Sequence, residues 1–75
     1  MTKAWFVTVH TDRFRLPSGK TWLGFASAHE SKAKALAAVK AVEGTLDDDE
    51  FNEPVELSEA TILALGLSDC EVLKI

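Results

Sequence analysis

The sequence predicts an α+β fold: a three-stranded antiparallel sheet with two helices packed on one face, in the chain order β-β-α-α-β. Three observations carry this. Two runs rich in aromatic and β-branched side chains, "AWFVTVHT" (4–11) and "KTWLGFAS" (20–27), flank a turn signal. An alanine-rich stretch from Ala28 to Glu43 stops at Gly44. A short helix signal, "LSEATILALGLSD", precedes a closing run, "CEVLKI". With 75 residues and an apolar fraction of 47%, the chain makes one domain, residues 1–75, with a single core and no deep cleft.

Each element has its own punctuation. In "LPSG" (16–19), Pro sits at the second turn position and Gly at the fourth, so the first two strands form a hairpin with a long tip holding Arg13, Arg15 and Lys20. Ser27 and Glu30 have the spacing of a capping box, which starts the first helix at Ala28. Glu30 and Lys34 stand at i,i+4, and Leu36, Val39 and Val42 form an apolar stripe with Ala28 and Ala35 beside it. So few large side chains place that helix close against the sheet. "TLDDDEFNEP" (45–54) reads as a charged loop. Ser58 caps the second helix, Glu59 suits its positive end and Gly66 stops it, with Leu67 folding back near Leu63.

Trp22 and Leu23 are neighbours in an extended segment, so their side chains point to opposite faces. A turn at Pro17-Ser18 with a bulge at Gly19 sets even-numbered residues opposite even-numbered ones. Val7, Val9, Leu23 and Phe25 then face the helices, with Trp5 at their edge. Phe6, Thr8, His10, Phe14, Trp22, Gly24 and Ala26 line the other face. Trp22, Phe14 and Phe6 are thereby left on an open sheet face, where large aromatic groups usually mark a contact surface.

Charge divides along the chain. Residues 1–42 carry a net +5 and residues 43–75 a net −9, giving the overall −4. Either the halves neutralise each other in the fold, or they form a basic and an acidic surface. The tip residues Arg13, Arg15 and Lys20 are the candidate nucleic-acid contacts. Asp47, Asp48, Asp49, Glu50 and Glu53 are a candidate surface for a basic partner groove, through electrostatic steering.

Catalytic and metal patterns are not found. His10, His29 and Cys70 are isolated, and "DDDE" lacks the alternating spacing of a calcium loop. His29 is expected on the solvent side of the first helical turn, and Cys70 half-buried at the start of the last strand. We therefore expect no enzyme, no metal and no cofactor. One cysteine, no apolar leader and no stretch approaching the ~20 residues of a membrane span lead us to expect a cytoplasmic protein without a membrane partner.

"GKTWLGFASAHESKAKALAAVKA" (19–41) resembles the last strand and helix of the β-β-α DNA-binding fold of plant ethylene-response-type regulators and phage integrase arm-binding domains. The likeness rests on Trp22-Leu23-Gly24 followed by a capped, alanine-rich helix, and covers about a third of the chain. It implies a sheet entering a DNA groove with basic residues on its first strands. Here those positions carry Phe6, Thr8 and His10, and the −9 half would repel phosphate. In composition the chain is also similar to small acidic regulators of phages and plasmids, including anti-CRISPR proteins. The expected function is thus a non-catalytic protein-protein interaction module, an inhibitor or regulator acting on a nucleic-acid-handling complex. It would act through the aromatic face (Trp22, Phe6, Phe14, His10) or the acidic loop. The alternative is a small DNA- or RNA-binding domain using the basic hairpin. A homodimer through the open face is a further use of the same surface.

Overall fold

The structure, a computed structural model, describes residues 3–75. Its frame is a hairpin of β1 (Trp5–Leu16) and β2 (Gly19–Ser27). Pairs run in unbroken antiparallel register from Trp5↔Ser27 to Thr11↔Thr21, and resume at Leu16↔Gly19. Even residues do face even ones. The compensating irregularity lies in β1, however, where residues 12–15 oppose Lys20 alone and Arg15 takes a left-handed φ of 51°. Gly19, at φ 92°, closes the two-residue turn at Pro17-Ser18. Alternation along this frame buries Val7, Val9 and Phe25 on one face.

The sheet has five strands, not three. β3 (Glu50–Phe51) and β4 (Val55–Glu56) both pair with the outer edge of β1, and β5 (Val72–Lys74) pairs with β2, giving the order β3-β1-β2-β5. The chain order is therefore β-β-α-β-β-α-β. The segment read as a charged loop supplies the two extra strands because the even-numbered residues of β1 turn their backbone groups outward and need partners. Val9↔Phe51 and Trp5↔Glu56 differ by one residue in register. Asn52 to Pro54 absorb the slip: Asn52 donates from N–H to Thr8 O (3.0 Å) and from Nδ2 to Thr8 Oγ1 (3.1 Å). Pro54 has no N–H to offer, which breaks the strand there.

The first helix, α1 (Lys32–Glu43), starts four residues later than its capping-box spacing suggests. Ser27 belongs to β2, and the backbone N–H and C=O of Ala28 are engaged by Glu71 O and Cys70 N. Ala28 thus extends the sheet and cannot begin a helix. Ser31 is the true cap, accepting from Lys34 N at 3.3 Å. The Ser27 hydroxyl is buried instead and donates to Ala35 O (3.1 Å), so it accepts from His29 Nδ1 (2.9 Å). His29 is accordingly half-buried ahead of the helix rather than solvent-facing on it. Ala35 and Val39 press on the sheet, and Val39 joins Val7, Val9 and Phe25, flanked by Leu23, Leu36, Phe51 and Val72. Val42, expected on the stripe, is exposed.

The second helix, α2 (Glu59–Leu65), has the predicted ends: Ser58 accepts from Thr61 N, and Gly66 takes the left-handed φ of 66°. Leu67 N–H folds back to Ile62 O, and Leu67 packs near Ile62, whereas Leu63 is exposed. The helices do not share one layer. Ile62 seats on a separate cluster with Ala4, Ala28, Leu57 and Leu67. Ala4, Ala28 and Leu57 continue the parity of Phe6, Ala26 and Val55, so α2 covers one end of the face turned away from α1. Ala26, on this face, is fully buried. Cys70, predicted half-buried, is exposed ahead of β5 at φ 63°. No helix is long and apolar enough to cross a membrane among the described residues.

Candidate partner-binding surface

Beyond the reach of α2, the second face is uncovered. Val55 opposes Phe6, Leu73 opposes Ala26, and Ile75, donating to Gly24 O at 2.9 Å, continues the row. Val55 and Ile75 are exposed and Leu73 is half-buried. Phe6 lies across Gly24: a Cβ built there would stand 3.0 Å from Phe6 Cε1 and 3.1 Å from Cζ. The glycine is thus a seat for the ring, and both contribute to a flat apolar field.

Trp22 borders this field with 53% of its surface exposed. Its ring stacks on His10, its cross-strand neighbour, at a centroid distance of 4.5 Å and an interplanar angle of 15°. His10 Nδ1 stands 3.9 Å from Glu50 Oε2, and Glu50 Oε1 pairs with Lys20 Nζ at 3.1 Å. Lys20 Nζ also donates to Asp48 O at 2.6 Å. The Lys20 hydrogen bond first, then its charge, holds the Glu50 carboxyl below the ordinary carboxylate range, with a smaller share from His10. One face of the indole is therefore fixed by its neighbours, and the other meets water.

Phe14 stands apart from this group. It lies in the irregular part of β1, where alternation no longer assigns a face, and its ring contact is Lys74 Nζ at 5.9 Å. It is half exposed.

The acidic residues are not one surface. Asp49, with its side chain 1% exposed, turns inward to Arg13 Nη2 (2.9 Å) and accepts from Leu46 N–H (3.1 Å). Arg13 reaches Thr11 Oγ1 through both N and Nε at 3.2 Å, the carbonyls of Glu43 (3.4 Å) and Gly44 (3.5 Å), and the Glu43 carboxylate (3.6 Å). Asp49 Oδ1 meets no donor in hydrogen-bond geometry, but the Thr11 hydroxyl, whose proton is uncommitted, is the largest influence lowering the Asp49 pKa. Leu46 N–H and Arg13 add to that lowering, against burial, which opposes it. Glu53 pairs with Lys32, and Glu56 with Lys3. The bases of the first half thus largely meet acids of the second, as the charge division allowed. Asp47 and Asp48 remain exposed at the loop tip, with carboxylates in no ion pair among the described residues. Of the tip bases, Arg13 and Lys20 are engaged and Arg15 is exposed.

The buried Thr11-Arg13-Asp49 network escaped sequence reasoning. Its one signal is that Thr11 and Arg13 follow Val7 and Val9 at inward-facing spacing. No group of three or more His, Cys, Asp or Glu side chains is placed to hold a metal ion among the described residues. Comparison with protein-family models, curated proteins and solved structures gives no match.

Proposed function

We propose that this chain is a non-catalytic protein-binding module that receives its partner on the open sheet face, with Trp22 as the anchor. The observation that carries it is the half-exposed indole on β2, stacked on His10 and lying on the same sheet face as exposed Val55 and Ile75. A rigid Trp beside apolar side chains costs little entropy to dock and gains the desolvation of a large ring, the usual makeup of an interface hot spot. The acidic loop offers less, because Asp49, Glu50 and Glu53 already have cationic partners in the fold. Regulation of a nucleic-acid-handling complex is the context this small acidic domain suits.

Photo-crosslinking tests the reading. A photoreactive phenylalanine at position 22 should capture one protein from the lysate of the source cell, and the same group at Val42, exposed on α1, should not. Equal capture from both positions would place the contact elsewhere. Tight, salt-sensitive binding of short duplex or single-stranded nucleic acid would support the alternative instead.

A further inference from the structure

One row of side chains crosses the open face at its Trp22 end. His10 on β1 stands opposite Trp22 on β2 and opposite Glu50 on β3. Alternation along β1 turns Val7 and Val9 toward α1 and His10 to the other face, where α2 covers only the far end. The charged groups that meet the row are therefore Glu50 from β3 and Lys20 from β2. Lys20 Nζ takes Glu50 Oε1 (3.1 Å), the oxygen that His10 does not face, and the Asp48 carbonyl (2.6 Å). On β1 itself the next titratable group is Asp12, where regular pairing ends.

The contacts of His10 suit an imidazolium better than a neutral ring. Nδ1 stands 3.9 Å from Glu50 Oε2, beyond a hydrogen bond but within reach of a charge pair. The indole lies nearly parallel at 4.5 Å, a distance at which a cation is drawn to a π face. Both attractions strengthen when the ring takes up a proton, and histidine is the side chain whose charge changes between about pH 5 and 8. Glu50, held below the ordinary carboxylate range chiefly by its Lys20 hydrogen bond, keeps its charge through that interval. The His10 side chain is 31% exposed, so water reaches it directly.

We propose that His10 is a proton-sensitive hold on Trp22. A protonated ring sits between the Glu50 carboxylate and the indole and is attracted to both, which pins the indole to the sheet. A neutral ring leaves the indole with an aromatic stack alone. Trp22 makes no other aromatic or cation–π contact among the described residues, so the state of His10 sets how firmly its ring is held. The docking face is thereby better organised at about pH 6 than at about pH 8, because an anchor fixed beforehand loses less freedom when a partner arrives. That regulatory use rests on the docking reading above; the hold on the ring does not.

NMR on the whole chain, without a partner, tests the hold. From about pH 5 to about pH 8, the His10 ring signals follow its proton, and spin relaxation of the Trp22 Nε1–H follows the freedom of the indole. Order at Trp22 should rise as pH falls, with a midpoint shared with His10, and cross-peaks between the two rings should strengthen together with it. His10→Gln removes the proton and should leave Trp22 equally mobile at every pH. His29, bonded to Ser27 and receiving Trp5 Nε1–H on its carbonyl, lies outside the row and stays in that variant. An indole whose order ignores His10, or falls as His10 is protonated, would overturn the proposal. So would a pH response that survives in His10→Gln. Should that variant fail to fold, the wild-type relaxation decides alone. For docking, the protein crosslinked at position 22 should be retained about threefold more tightly on the wild-type chain at about pH 6 than at about pH 8, and equally at both on His10→Gln. Retention that ignores pH while the indole tightens would overturn the regulatory use. If position 22 crosslinks no protein, the docking reading fails, and the relaxation data still decide the hold on Trp22.

Discussion

Arg13→Ala is the sharpest test of how the acidic loop is held. The Asp49 side chain is 1% exposed and the Arg13 side chain 17%, so removing the arginine strands a buried carboxylate with only Thr11 and Leu46 N–H for company. Removing one partner of a buried ion pair costs about 3–5 kcal/mol, and the partial exposure of Arg13 places this case near the lower end, at about 3 kcal/mol. A domain of this size has roughly 4–11 kcal/mol to lose. At about 4–8 °C per kcal/mol, Tm should fall by about 12–24 °C. Asp49→Ala should cost less, about 1–2 kcal/mol, because Arg13 keeps Thr11, two carbonyls and Glu43 and can reach water. Thermal denaturation followed by circular dichroism measures both. A fall in Tm of under about 5 °C for Arg13→Ala would make the pair an ordinary surface contact and refute the reasoning. A larger loss for Asp49→Ala than for Arg13→Ala would refute the asymmetry.

Other outcomes follow from the same contacts. The lowered Asp49 pKa contributes stability that is present above its unfolded value, near 3.8, and is lost as pH falls through the folded value; acid unfolding should therefore steepen below about pH 4, and Asp49→Asn should flatten it. Gly24→Val should push Phe6 off its seat and cost about 1 kcal/mol, with Phe6→Ala costing less in that background than in the wild type, read by a double-mutant cycle in urea. Ser31→Ala should cost about 1 kcal/mol by removing the cap of α1. Reversing the exposed charges, Asp47→Lys with Asp48→Lys, should leave stability within about 0.5 kcal/mol and partner capture unchanged.

The hairpin register was legible because Val7 and Val9 pair with Phe25 and Leu23, and a slip of one residue would have split these pairs between the two faces. The exposed position of Trp22 followed from that parity alone. The second helix was legible too, since Ser58 and Gly66 act through local geometry. The start of α1 was not: Ser27-x-x-Glu30 has the spacing of a cap, but the Ala28 backbone is taken by a strand from the far end of the chain, which no local signal announces. β3 and β4 are two residues each, too short for periodicity, and exist because β1 offers them an edge. For the same reason the acidic run looked uniform. Only the fold separates Asp49, turned inward to Arg13, from Asp47 and Asp48 at the tip.

The measurement closest to the central proposal compares Trp22→Ala with Phe25→Ala for both melting and partner capture. Phe25 is fully buried, and its loss should cost about 3–5 kcal/mol. Trp22 is half exposed, and its loss should cost about 1–2 kcal/mol, leaving a folded domain that no longer retains the partner. A Trp22→Ala variant that melts as low as Phe25→Ala, or that stays folded and still holds the partner, would contradict the docking face assigned here.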